Sequence, residues 1–423
     1  MSTILRKIRL IDPWRDIDQC ADISWQDDQP ALVDDHVAGD GIDASGLWLM
    51  PGFVDLGHQL PDGGSDCAAS ITSELAAAHG NGFSLVCCAP GTGQAFDTAA
   101  AIRATHKQAE GAGSQLVMLG ALTRGLAGEQ LADMAMLQAA GCVGVSQGDA
   151  SLPPAALLRQ AMRYAADLDL SLHLSARTAG LDSGCAHDGA LSNALGLSGI
   201  SVASETVAVS VLLALIEDTG CRVHVRQLSS VRAAEMLAEA RQRGLPVSAD
   251  VAIWNLVYDE RAINGYDSRF HLSPPLRTER DREGLARLLA SGDIQAISSG
   301  HRPLGADAKF APFAETRPGA SSIDGYLARL LQLHDEGLLS VLDLARCSAR
   351  SPDDILHSQG HGMVARSWIV VDPAHQWLLD DSTRLSHADN HPLLGQAQRG
   401  AVAGWFNAQG LAMFKPWQSR HGV

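Results

Sequence analysis

A chain of 423 residues, 46% apolar and 19% charged, carries enough apolar side chains for one large core and a smaller companion. Its 48 acidic against 32 basic residues leave a formal charge of −16, a field that repels phosphate backbones and anionic membrane surfaces, so nucleic acid and lipid are not expected partners. No uninterrupted apolar run reaches the ~20 residues of a membrane span, and Arg6, Lys7 and Arg9 lie within a strand-like segment instead of ahead of an apolar signal core, which predicts a cytoplasmic protein.

The chain opens on short strand patterns at residues 4–13 and 40–46, separated by Gly, Pro and Asp turns. From about residue 50 to 350, short runs rich in Val, Leu and Cys alternate with longer helical patterns. The strand-like runs are 48–56, 83–89, 115–122, 142–146, 170–175, 222–228, 246–251 and 294–299. Between them, 70–79, 98–109, 154–166, 205–219, 231–243 and 279–290 have the composition and spacing of surface helices. That rhythm predicts an α/β fold, a (β/α)8 TIM-type barrel over residues 51–359. The chain closes on strand patterns at 362–372 and 399–414, and neither end alone makes a stable sheet. Residues 1–50 and 360–423 are therefore expected to form one small flanking β-domain. The eight cysteines (20, 67, 87, 88, 142, 185, 221 and 347) are scattered without a C-x-x-C pair and are expected to be reduced, mostly buried thiols.

Several blocks resemble cyclic amidohydrolases, and dihydroorotases in particular. Residues 44–56 (ASGLWLMPGFVDL) resemble the junction from the small β-domain into the first barrel strand. Further similar blocks, in order along the chain, are GNGFSLVCCAPGTGQAFD (80–97), LGLSGISVASE (195–205), VHVRQLSS (223–230), FHLSPPLR (270–277), IQAISSGHRP (294–303) and SHADNHPLLG (386–395). The resemblance implies one or two zinc ions held by His and carboxylate at strand ends, activating a water.

The ligand positions that the resemblance marks are altered. The family's His-x-His after the first strand reads Gly57-His58-Gln59 here, and in an unbulged strand His58 points away from the two ligand positions; only a bulge would re-aim it. The bridging lysine, or aspartate in some bacterial members, corresponds to Gln147, with Asp149 beyond it as a loop residue. His173 matches the fifth-strand ligand. On the sixth strand His224 matches a histidine that is not a ligand, while the ligand place is Gln227. The aspartate that takes the proton from water is replaced by Gly300, followed by His301 and Arg302. The arginine and asparagine that grip the substrate carboxylate correspond to Pro61 and Gly91, neither of which offers a side-chain donor; Arg302 reads as a mouth arginine paired to a nearby acid. One imidazole cannot retain zinc, so no cofactor and no catalytic residue are expected. The chain resembles catalytically silent dihydroorotase homologues that bind aspartate transcarbamoylase. That resemblance implies pyrimidine biosynthesis, the aspartate transcarbamoylase catalytic chain as partner, and a homodimer within a six-plus-six particle. The alternatives are an active hydrolase of a cyclic amide, with a relocated metal site using His58, His173, His301 and Asp62 or Asp66, and a ligand-binding sensor.

Overall fold

The computed structural model describes residues 4–27, 29–33, 41–61, 68–91, 93–357 and 367–414. Asp40, Asp62, Asp66, Cys67 and residues 362–366 of the last predicted strands lie outside the described residues. The Val- and Leu-rich runs form eight parallel strands, paired in chain order: Phe53–His58, Phe83–Cys88, Gln115–Ala121, Cys142–Ser146, Ser171–Ser175, Val223–Arg226, Val247–Ala252 and Ala296–Ser298. Nearly continuous apolar runs suit them because both faces are covered. Closure between the last strand and the first runs through the Gln59 N–H, which donates to the His301 carbonyl at 2.9 Å, and the Ser299 N–H, which donates to Asp55 at 2.8 Å. The expected α/β barrel is the fold.

The predicted helices appear with small shifts at their starts. Ser70 and Thr98 begin the patterns at 70 and 98 but stand outside the helices Ile71–Gly80 and Ala99–Ala109, where each side chain caps the third following N–H. Thr278 does the same for Glu279–Ser291, in a capping box with Asp281. The barrel interior is divided. Val54, Leu56, Leu85, Cys87, Val117, Leu119 and Val143 from the first four strands form an apolar cluster. The later strands supply buried His173, His224, Asp250 and Ser298.

Strands from the two ends of the chain form a separate mixed sheet. Its order is Gly410–Met413, Gln396–Asn407, Trp368–Leu379, Trp48–Pro51, Leu5–Asp12, Ile17–Gln26 and Gln29–Leu32. Two expectations need correction. The run at 48–56 is two strands: Trp48–Pro51 pairs in the terminal sheet, and Phe53–His58 enters the barrel. They part at Gly52, where a Cβ would lie 2.9 Å from the Trp405 ring, so only glycine lets the barrel and sheet approach this closely. The hairpin Ile17–Gln26 with Gln29–Leu32 was not anticipated at all. The seven described cysteines are unpaired, six of them buried and Cys20 exposed. Burial raises the Cys87 thiol to about 12 despite the opposing charge of Arg226. No helix among the described residues is long and apolar enough to cross a membrane.

Candidate functional site at the barrel mouth

Parallel strands end on one face, so positions 57–59, 147, 227 and 300 all lie at or just beyond the carboxyl ends of strands. Gly57, Gln227 and Gly300 come together there. A Cβ at Gly57 would lie 2.7 Å from Ser298 Cβ and 2.9 Å from Gln227 Nε2; one at Gly300 would lie 3.0 Å from Ala252 Cβ and 3.7 Å from the same Nε2. The Gln227 amide thus stands between the two glycines. It reaches there by leaving the sixth strand with φ of +51°. The Gln59 amide donates to Asp149 Oδ2 at 2.7 Å, and Arg302 Nη1 reaches the same oxygen at 3.0 Å. Burial pushes the Asp149 carboxyl up, but Arg302, Arg226 and the Gln59 amide outweigh it and hold it below the usual range.

The remaining positions are engaged locally. Gln147 accepts from Thr123 Oγ1 and donates to the Leu126 carbonyl, both at 2.9 Å, so its amide pins the loop after the third strand. His173 is fully buried, with Nε2 2.9 Å from Ser171 Oγ and its ring 5.1 Å from that of His224. Burial first, then the His224 and Arg226 charges, depress its pKa, so this imidazole is neutral. His224 bridges Ser248 Oγ and Asp250 Oδ2, each at 2.9 Å. Pro61 is buried, and Gly91 is tied to Gln94 by two backbone bonds of 3.0 and 3.1 Å.

His58 illustrates a local surprise. The register does shift between Asp55 and His58, but the irregularity does not deliver the ring to the mouth. It lies fully buried against His301, ring centroids 4.7 Å apart and Nδ1 3.5 Å from Asp55. His301 Nδ1 accepts from the Ser322 N–H at 3.2 Å, which leaves the proton on Nε2 to donate to Glu74 at 3.0 Å. Glu74 also accepts from Ser386 Oγ at 2.6 Å and the His387 N–H at 2.9 Å. Burial pushes its carboxyl up, but His301, Ser386 and His387 together bring it down to about 2. His58 and His301 thus belong to a buried network behind the first helix, while His173 faces His224 inside the barrel.

What remains open at the mouth is a cavity of about 30 Å³ lined by Gln59, Gln227, Trp254, Ser273, Gly300 and Arg302 among others. It has room for a water or two, whereas sites for small organic ligands span roughly 300–1,000 Å³. Zinc would need several anionic or imidazole ligands converging on one point. The residues at the family positions do not fit it: two are glycines, three are neutral amides, and His173 is bonded to Ser171. Among the described residues no three His, Cys, Asp or Glu side chains are placed to share an ion. Sequence reasoning missed the buried charges Asp55, Glu74, Arg226 and Asp250. Arg226 was findable, because it lies two residues beyond the inward-facing His224 on one strand.

Comparison with known proteins agrees with the geometry at the level of family. A dihydro-orotase-like family model matches residues 46–233. A dihydroorotase-like protein of Pseudomonas putida is 38% identical over 403 residues, covering 93% of this chain and 95% of the relative. One from Pseudomonas aeruginosa is 36% identical over 411 residues, covering 95% and 97%. A dihydroorotase of Trichlorobacter lovleyi is 30% identical over 413 residues, again covering 95% and 97%. Among solved structures, the L-hydantoinase (dihydropyrimidinase) from Arthrobacter aurescens superposes with a TM-score of 0.83 over 98% of this chain and 97% of its own, at 18% identity.

Proposed function

This chain belongs to the dihydroorotase-like family, and on that premise we propose that it is a non-catalytic member, serving pyrimidine biosynthesis as an assembly subunit of aspartate transcarbamoylase. The observation that carries this reading is the Gln227 side chain between Gly57 and Gly300. Hydrolysis of a cyclic amide needs a metal-activated water and a base beside an open pocket. Here a neutral amide occupies that space, no side chain exists at position 300, and the arginine that lines the mouth, Arg302, is bound to Asp149. A barrel kept whole around such a mouth is explained most simply by selection for an interface.

The relatives named dihydroorotase favour a second reading, an active cyclic amidohydrolase with a reduced or relocated metal site. One set of measurements separates the two. Protein purified without chelator is assayed for zinc and for interconversion of carbamoyl aspartate and dihydroorotate, then co-expressed with aspartate transcarbamoylase. The assembly reading expects far less than one equivalent of zinc, no turnover, and co-elution. Stoichiometric zinc lost together with activity on chelation establishes the hydrolase instead.

A further inference from the structure

The end of the barrel opposite the mouth carries a constellation of its own. His224 and Ser248 stand side by side in register on the sixth and seventh strands, and Asp250 follows Ser248 by two residues on the same inward face. His224 Nδ1 lies 2.9 Å from Ser248 Oγ, and its Nε2 lies 2.9 Å from Asp250 Oδ2. Asp250 accepts the Nε2 proton on that oxygen and the Ser298 hydroxyl on the other, which leaves the Nδ1 lone pair to accept from the Ser248 hydroxyl. A hydroxyl, an imidazole in the tautomer that takes its proton, and a carboxylate that fixes the tautomer together make an activated serine, which is recognised by geometry and not by order in the chain. His224 and Asp250 are buried, whereas Ser248 is half-buried and opens on a cavity of about 430 Å³. That volume falls within the roughly 300–1,000 Å³ of small-molecule sites. Val223, Leu245, Pro246 and Val247 give the cavity an apolar wall. Arg222 gives it a fixed cation: its Nη atoms hold the Asp169 carboxylate and carbonyl, each at 2.7 Å, while its buried Nε has no hydrogen-bond partner among the described residues. Asp354, which also lines the cavity, is matched by Arg350 at 3.7 Å.

We propose that this end of the barrel is an esterase site for short-chain carboxylic esters, with Ser248 as nucleophile, His224 as general base and Asp250 as the positioning residue. Ser248 Oγ bonds to the ester carbonyl carbon as its proton passes to His224 Nδ1, and the unanswered Arg222 Nε–H is the donor for the oxyanion. The C–O bond to the alcohol then breaks, the alcohol leaving with the proton from His224 and the acyl group staying on Ser248. A water gives its proton to His224 and attacks the acyl-serine; the acid departs and Ser248 recovers the proton. One ester and one water thus give one acid and one alcohol. Ser248 lies near the amino end of its strand, whereas Gly57, Gln227 and Gly300 lie at the carboxyl ends, so the site is independent of the chemistry of the mouth.

The test uses the full-length protein, kept in chelator so that no metal at the mouth contributes. It is assayed with p-nitrophenyl acetate and, separately, treated with a fluorophosphonate and mapped by peptide mass. Turnover above the uncatalysed rate and one adduct per chain, on Ser248 and absent after denaturation, are expected. Ser248→Ala should lose both. Asp250→Asn should keep KM and lower kcat by a factor on the order of 10⁴, because the amide no longer fixes the imidazole tautomer. No adduct, an adduct mapped elsewhere, or undiminished turnover in either variant overturns the proposal. Should a variant fail to fold, the mapped adduct on the natural protein decides alone.

Discussion

At Gly57 a missing side chain and a neighbour's bulk complete one another: the space a Cβ would take is held by Ser298 and the Gln227 amide. Gly57→Ala should therefore destabilise by overpacking, by about 1–3 kcal/mol in urea unfolding. Restoring the paired histidines with Gly57→His and Gln59→His should bring neither zinc nor turnover, because the base and the carboxylate grip remain absent; detectable dihydroorotate formation would show that the site residues are misassigned. Glu74 offers a titration. Its carboxyl is depressed from 4.5 to about 2, mainly by His301 against the opposing cost of burial, so it binds protons less readily folded than unfolded. Its contribution is thus complete above about pH 4.5 and is lost as pH falls toward 2, amounting to about 3 kcal/mol. Glu74→Gln should lower stability at neutral pH by an amount of that order and flatten the acid limb of the stability curve. An unchanged acid limb would mean that the three donors do not hold the charge.

The element scale shows what was legible in the residues and what was not. All eight barrel strands could be read because each is a short apolar run between turn signals, buried on both faces. Their ends were less legible. Position 227 looked like strand, but its positive φ turns the side chain into the mouth, and nothing in one sequence announces such a turn at a glutamine. The hairpin Ile17–Gln26 with Gln29–Leu32 was illegible for another reason: its longer strand reads IDQCADISWQ, half-exposed and polar, and its pairing comes from Leu5–Asp12 alongside. The ligand positions could be placed by resemblance, yet the partners of Asp149 and Glu74 lie 90 or more residues away, which no local pattern reveals. Glu205 carries a prediction of the same kind. Buried on the helix Ala203–Thr219, it accepts from the N–H and hydroxyl groups of both Ser229 and Ser230, at the start of Val231–Gln242. Glu205→Ala strands these donors and should cost about 3 kcal/mol or more. Hydrogen exchange should speed first in the opening turn of Val231–Gln242; protection unchanged there would refute the cap.

For the whole molecule, the proposed role makes function a property of surfaces, so changes inside the barrel should leave it standing. His173→Ala is the discriminating variant, since His173 is the surviving ligand-type residue and yet is enclosed against Ser171 and His224. If the protein is an assembly subunit, this variant should still co-elute with aspartate transcarbamoylase; in a hydrolase, the same change should abolish activity. The size of the particle follows from symmetry. A two-fold dimer of this chain joined to three-fold trimers of the partner closes, without open ends, as six plus six chains in a point group such as D3. Mass measurement of the co-expressed complex should find that stoichiometry for the natural protein and for His173→Ala alike. The acidic surface, with its formal charge of −16, further implies that a basic face on the partner would speed encounter and that association would slow as salt rises. If aspartate transcarbamoylase elutes alone, with full activity in the absence of this chain, the assembly role fails and a ligand-binding role is the one to pursue.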